Sequence, residues 1–133
     1  MGQSTDPIAD MLTKVRNGYQ AKHSQVDVPS SIIKTDIARL LKNGGYIRHY
    51  KVIDDEKQGV LRIFLRYGSD GQPLITKVKR VSKPGRRAYT KITSLSPIMR
   101  GEGMTILSTS CGIMSDKECR KRNIGGEVIC YVW

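Results

Sequence analysis

Few side chains of this sequence have the types and spacing that catalysis needs. Ser31 and Lys34 match the S-x-x-K spacing of a nucleophile and its base, but the companion motifs of that enzyme class are absent. Residues 54–56 are three adjacent carboxylates, which point apart in a turn, and His23 and His49 stand alone. No nucleophile, base and oxyanion-binding group can be assembled, so the sequence predicts no enzyme. It also predicts no metal site and no cofactor.

Residues that can bind a phosphate backbone are concentrated in the second half of the chain. Segment 82–89 places Lys83, Arg86 and Arg87 around a Pro-Gly turn and ends with Tyr89. The cations can neutralise phosphates, and the tyrosine ring can stack on a base or a sugar. The alternative interpretation is a basic hairpin whose Tyr89 ring is half-buried in a sheet.

Two further segments carry groups suited to a polar ligand. Ser108, Thr109 and Ser110 offer three hydroxyls in a row, which could bond 2′-hydroxyls, phosphates or base edges. Gly126 follows another glycine and would let a backbone approach closely. Glu127 would be repelled by phosphates, so we expect it to accept from a base amino group or to brace a neighbouring side chain.

The charge distribution points to a polyanionic partner. The 133 residues carry 23 basic and 12 acidic side chains, a formal net charge of +11. Between Gly71 and Gly101 there are eight basic residues and no acid, a stripe that repels itself unless something negative neutralises it. A solvated surface would mix both signs. Charge alone does not distinguish DNA, RNA or a membrane surface. No apolar run approaches the roughly 20 residues that span a bilayer, so the sequence predicts no membrane-spanning helix.

The N-terminal part should be built around two helices. Asp6 as N-cap and Pro7 as the first helical residue open a helix that is predicted to end at residues 17–18. A second helix should start after Pro29, with Ser30 or Ser31 as its cap, and stop at the glycine pair 44–45. The predicted buried stripes are Ile8, Met11, Leu12 and Val15 in the first helix, and Ile33, Ile37, Leu40 and Leu41 in the second. Lys34 is expected to be a surface charge.

The remaining elements are mostly strands. Predicted strands are residues 46–53, 59–67, 74–81, 86–90, 104–107 and 128–133. Residues 83–85 should form a type II turn, and Ser96-Pro97 a helical turn. The capping-box spacing from Ser115 to Glu118 opens a short helix through Arg122.

The sequence therefore predicts an α+β fold of two small subdomains. The first, residues 1–70, is a helix–strand–helix–strand–strand unit. The second, residues 71–133, is a β-rich unit with one short helix. The boundary is placed where the composition changes, in the polar loop 68–73.

Five of these segments, in this order, resemble the small-subunit ribosomal protein S8 family of bacteria and organelles. They are residues 6–17 (DPIADMLTKVRN), 28–34, 80–89 (RVSKPGRRAY), 107–116 (LSTSCGIMSD) and 125–133 (GGEVICYVW). The resemblance extends from the first segment to the last and so spans essentially the whole chain, and the combination is far more specific than any one motif.

The resemblance implies a structural constituent of the small ribosomal subunit that binds the central domain of its ribosomal RNA and helps to organise assembly. It also implies contact with neighbouring ribosomal proteins, repression of translation through the protein's own mRNA, and location in the ribosome of the cytoplasm or of a plastid. Carried over by motif, the principal RNA-binding residues are Tyr89, Ser108, Thr109, Ser110, Gly126 and Glu127, reinforced by Lys83, Arg86 and Arg87. A second RNA contact would come from Thr5, Asp6, Lys14, Asn17, Ser30 and Lys34.

Two other functions are compatible with a basic RNA-binding chain. One is a free-standing regulatory RNA-binding module outside the ribosome, which sedimentation with small subunits would distinguish. The other is an RNA-processing enzyme, which would require a carboxylate or histidine cluster that the sequence does not supply.

Overall fold

Two antiparallel sheets, each built from a different part of the chain, organise this protein. In the computed structural model the described residues are 6–95 and 102–133. One unit comprises Asp10–Thr76, and the other combines Lys77–Trp133 with residues 1–9, of which 6–9 are described. The mixed α+β class predicted from the sequence is confirmed.

The unit Asp10–Thr76 contains a three-stranded sheet in the order β1-β3-β2. Its elements are α1 (Pro7–Gln20) from Asp10 onward, β1 (Gln25–Pro29), α2 (Ile32–Asn43), β2 (Ile47–Ile53) and β3 (Val60–Leu65). The alternation predicted for β3 is confirmed, because Leu61, Ile63 and Leu65 are all buried. These side chains form the buried face of the sheet, and Arg62 and Phe64 on the other face are partly exposed.

Helix α1 begins where the sequence predicts, but the predicted end is wrong. The Asp6 carboxylate accepts a hydrogen bond from the Ala9 main-chain N–H at 3.2 Å, as an N-cap should. The helix then continues through Gly18 to Gln20. A Cβ atom added to Gly18 would lie 2.5 Å from Cγ1 of Val26. This glycine therefore serves close packing of the helix on strand β1 and does not end the helix.

Three of the four residues predicted for the buried stripe of α2 are buried, namely Ile37, Leu40 and Leu41, and the fourth is not. Ser31 is the N-cap and accepts from the Lys34 main-chain N–H at 3.2 Å. Ile33 was predicted to be buried, yet it is 45% exposed, whereas Lys34, the expected surface charge, is only 6% exposed. The buried lysine is tolerated because its ammonium group donates to the Pro29 carbonyl oxygen at 2.8 Å.

The second unit contains a sheet in the order β4-β8-β6-β7, with β5 also paired to β8. Its elements are β4 (Val78–Arg80), β5 (Tyr89–Thr90), β6 (Met104–Thr109), β7 (Gly112–Ser115), α3 (Asp116–Arg122) and β8 (Gly126–Val132), with a 3-10 turn at Ile92–Ser94. The capping box of α3 is confirmed, because the Ser115 hydroxyl accepts from the Glu118 main-chain N–H at 3.3 Å. Leu107, Met114, Cys119 and Val128 form a buried cluster in this unit.

Several predicted strands of this unit differ from the observed ones. The strand predicted over 74–81 is limited to β4, because Ile75 is buried without joining a sheet. The strand predicted over 86–90 is limited to β5, since the Ala88 main-chain N–H donates to the Ser82 hydroxyl at 3.1 Å. Strand β7 was not predicted at all. The helical turn predicted at residues 96–97 lies outside the described residues.

Candidate nucleic-acid interface

Three predicted binding residues lie in one row across adjacent strands. Tyr89 of β5 is the register partner of Glu127 of β8, and Glu127 is in turn the partner of Ser108 of β6. Side chains of directly opposed residues project from the same face of a sheet. The fold therefore brings together segments that are 19 or more positions apart in the sequence.

Tyr89 presents its ring to the outside. The residue is 72% exposed, so the alternative of a ring half-buried in the sheet is wrong. An exposed aromatic ring of this size is available for stacking on a base or a sugar.

Glu127 braces the segment that carries Tyr89. Its carboxylate accepts hydrogen bonds from the Ser82 hydroxyl and from Nη1 of Arg87, the latter at 3.0 Å. Burial by itself raises the pKa of Glu127, but the hydrogen bonds from Ser82 and Arg87, with the charges of Arg87 and Arg80, outweigh burial and lower this pKa. The carboxylate is thus held ionised and neutralised within the protein, as the bracing interpretation requires.

Ser82 is a residue of this network that sequence reasoning missed as a site. It is fully buried, and its hydroxyl donates to Glu127 while accepting from the Ala88 main-chain N–H. One side chain therefore joins both ends of the basic turn to β8. No local signal identifies it, because its acceptor lies 45 positions away.

The basic turn itself is a tight hairpin. The main chains of Lys83 and Arg86 exchange two hydrogen bonds, at 3.0 and 2.9 Å. Gly85 does not have the positive φ that a type II turn requires, so that predicted turn type is wrong. Lys83 and Arg86 are exposed, and the Arg87 side chain is half-exposed beside Glu127.

The three consecutive hydroxyls have different surroundings. Thr109 donates through Oγ1 to the Gly112 carbonyl at 2.8 Å and accepts from the Cys111 main-chain N–H at 3.0 Å. Its hydroxyl is thus engaged in the turn between β6 and β7. Ser108 is partly exposed at the end of β6, and Ser110 is exposed in the turn.

Gly126 has an internal reason to be glycine. A Cβ atom added there would collide with the carbonyl oxygen of Ser108, and one added to Gly125 would collide with that of Thr90. The close approach that these glycines permit is between β8 and its own neighbouring segments. The sequence pattern could not tell this from close approach of a ligand.

The basic stripe is partly neutralised inside its own unit. Arg80, whose side chain is only 9% exposed, pairs with Asp6 at 3.0 Å and donates to the Ile129 carbonyl at 2.8 Å. The carboxylate of Asp6 is therefore occupied by this ion pair and by the helix cap. Within the described part of the stripe, the cations that remain exposed are Lys77, Lys79, Lys83, Arg86, Arg87 and Lys91.

The other candidates from the N-terminal part divide into two groups. Lys14 and Asn17 are exposed and lie three positions apart on α1. Ser30 and Lys34 are buried, at 8% and 6% exposure. Thr5 lies outside the described residues.

Two other kinds of site are absent from residues 6–95 and 102–133. No group of three or more His, Cys, Asp or Glu side chains there could hold a metal ion. In the same ranges no helix has the length and apolar character to cross a membrane.

Comparison with known proteins is consistent across nearly the whole chain. The family model described as Ribosomal protein S8 matches residues 6–133. The chain is 55% identical over 129 residues to the small ribosomal subunit protein uS8 of Streptococcus pneumoniae serotype 19F (strain G54), covering 97% of this chain and 98% of that protein. It is 54% identical over the same length, with the same coverage, to the protein of that name in Streptococcus pneumoniae strain Hungary19A-6.

Proposed function

The chain belongs to the ribosomal protein S8 family of small-subunit proteins, and from this premise we propose that it binds the central domain of small-subunit ribosomal RNA directly. In this proposal the protein recognises the shape of the folded RNA and helps to organise subunit assembly. Its principal RNA surface belongs to the subdomain 71–133, and the subdomain 1–70 makes a second contact.

One observation carries the proposal. An exposed aromatic ring, Tyr89, and a partly exposed hydroxyl, Ser108, lie in one row of the sheet on either side of Glu127, which is neutralised by Arg87. The major groove of an RNA helix is too narrow for side chains, so this row would read a minor-groove face or an irregular internal loop.

The exposed cations supply most of the affinity in this account, while Tyr89, Ser108 and Ser110 supply register and selectivity. Thr109 supports the hairpin that carries the two serines, since its hydroxyl bonds within the turn. Gly126 and Glu127 act through the close packing and bracing of β8. If about 5 phosphates are neutralised, log K falls with log salt at a slope of roughly −3.5 to −4.5. A nearly flat salt response would contradict the electrostatic part.

The experiment compares two RNAs with one double variant. Ser108→Ala combined with Ser110→Ala should weaken binding to a transcribed central-domain fragment by about 30-fold, if each hydroxyl contributes about 1 kcal/mol. Binding to a generic RNA duplex should change little. Ser69→Ala combined with Ser94→Ala, two exposed serines elsewhere, is the matched control. Equal losses on both RNAs would mean that the hairpin is only structural.

The second contact is best supported for Lys14 and Asn17, which are exposed on α1. Ser30 and Lys34 would act by shaping the start of α2, and Asp6 by capping α1 and holding Arg80.

We further propose that the protein represses translation of its own operon by binding a similar RNA element in its mRNA. The same residues would serve both RNAs, so the Ser108 and Ser110 double variant should lose affinity for both alike. Loss on only one RNA would separate the two activities.

We assign the protein a non-enzymatic role in the ribosome of a bacterial cytoplasm, in contact with neighbouring ribosomal proteins. Family membership and similarity to streptococcal proteins support this assignment. Location in a plastid stays a prediction. Incubation with ribosomal RNA and magnesium should leave the RNA intact, and specific cleavage would contradict the non-enzymatic role.

A further inference from the structure

The second face of the three-stranded sheet, opposite its buried face, carries a cluster of aromatic and basic side chains that the proposed function does not use. Phe64, the only phenylalanine of the chain, projects from the middle strand β3 on the face opposite Leu61, Ile63 and Leu65. The ring of His49, its register partner on β2, is nearly parallel to it, with centroids 6.1 Å apart and 21° between the planes.

A β-bulge adds a cation to this cluster. The register of β2 against β3 shifts between Ile47 and His49, so Arg48 is the extra residue of the edge strand. In a regular strand Arg48 and His49 would point to opposite faces. Here the Arg48 guanidinium carbon lies 5.2 Å from the centroid of the Phe64 ring, so both residues share one face.

A second cation reaches the same ring. The ammonium nitrogen of Lys51 lies 5.8 Å from the Phe64 centroid. Lys51 is the register partner of Arg62, and Arg62 pairs with Asp27 through two hydrogen bonds at 2.9 and 3.0 Å. The one carboxylate of this row is thus already neutralised, while Arg48 and Lys51 are exposed cations, each placed over the Phe64 ring.

We propose that this face, defined by Arg48, His49, Lys51 and Phe64, binds an unpaired segment of RNA, with a base on the aromatic pair and its phosphates on the two cations. Sheet surfaces that combine aromatic rings with cations suit single-stranded RNA, because stacking tolerates every base and cations follow the backbone. Exposed cation–π contacts are weak, so a base and a phosphate can replace them. The inference rests on the proposed function for its choice of RNA as the polyanion, but it concerns different residues.

The test is a titration of the full-length, ¹⁵N-labelled protein with hexauridylate, followed residue by residue by NMR. Amide shifts at residues 48–51 and 62–64 report this face, and those at 86–90 and 108–112 report the other surface. The expected result is a saturable shift at the first set. No shift there, with shifts at 86–90, would overturn this inference and leave the proposed function intact. Shifts at 48–51 alone, with no response at 86–90 to the central-domain fragment either, would support this face and contradict the proposed function.

Variants make the result specific. Arg48→Gln with Lys51→Gln should reduce the salt slope for this face by about 1.4, the value for two phosphate contacts to a single strand. Lys42→Gln with Lys57→Gln removes the same charge from exposed positions outside the face and should leave the slope unchanged. Phe64→Leu keeps an apolar residue in β3 but should weaken binding at this face by at least about 5-fold.

The partner class is tested with a hexaglutamate peptide in place of the RNA. It can engage the cations but cannot stack as a base does, so it should bind more weakly and be insensitive to Phe64→Leu. Equal or tighter peptide binding at residues 48–51 would overturn RNA as the partner. An unchanged salt slope in the Arg48 and Lys51 variant, which alters only exposed side chains, would overturn the role of the cations.

Discussion

Replacing Ser82 with alanine tests the network that holds the segment of Tyr89. The fully buried hydroxyl makes two hydrogen bonds, one to the ionised Glu127 and one from the Ala88 main-chain N–H. Losing a bond to a charged group costs about 1.5–3 kcal/mol, and losing a neutral one about 0.5–1.5 kcal/mol. Glu127 keeps its bond to Arg87 and is partly solvated, so we expect a net loss of about 2 kcal/mol in the free energy of unfolding.

The assay is urea unfolding followed by the fluorescence of Trp133, the only tryptophan, which is hydrogen-bonded to Lys77 in the same unit. The Ser82→Ala transition should move to lower urea with an unchanged slope. Ser94→Ala, an exposed serine of that unit, is the control and should stay within about 0.5 kcal/mol of the parent. If Ser82→Ala behaves like this control, the network does not stabilise the segment and the reasoning is refuted.

Three further predictions concern single positions. Lys34→Met should destabilise the protein by about 1–2 kcal/mol in urea unfolding followed by circular dichroism, because the Pro29 carbonyl loses its donor, and an unchanged midpoint would contradict a buried structural role. Gly18→Ala should cost about 1–2 kcal/mol by crowding Val26, although alanine favours a helix, and a gain in stability would show that the contact relaxes freely. Because the pKa of Glu127 is lowered in the folded protein, the unfolded state binds more protons as the pH is lowered through about 4.5. The free energy of unfolding should therefore decrease as the pH is lowered in this range, and urea unfolding at several pH values should show a smaller decrease for Glu127→Gln.

Local signals predicted the starts of the three helices well, because an N-cap depends on neighbouring residues. The caps at Asp6, Ser31 and Ser115 each use a main-chain N–H three positions ahead, which the sequence places directly. The buried face of β3 followed from strict alternation, since every second residue of a half-covered strand meets the core.

The missed features depend on residues far apart in the sequence. Arg80 looked like part of a free basic stripe, but its partner Asp6 lies 74 positions away. The bracing of Glu127 by Ser82 spans 45 positions. The strand predicted over 74–81 was too long for a similar reason. Ile75 is buried outside β4, and an alternating pattern indicates which residues are buried but not whether they pair in a sheet.

The candidate site was predicted as residue types but not as an arrangement. Placing Tyr89, Glu127 and Ser108 in one row requires the register of β5 and β6 on β8, which no single segment specifies. The same limit hid the cluster around Phe64, because a bulge in β2 decides which face Arg48 occupies.

Photochemical cross-linking of the full-length protein to a central-domain RNA fragment tests the proposed RNA surface most directly. Irradiation at a wavelength that links bases to adjacent side chains, followed by peptide mass spectrometry, reports which residues touch RNA. We expect cross-links concentrated at residues 82–90 and 107–112, with Tyr89 prominent because its exposed ring is placed to stack on a base. Cross-links that fall elsewhere, with these two segments unmodified, would show that the RNA binds another surface.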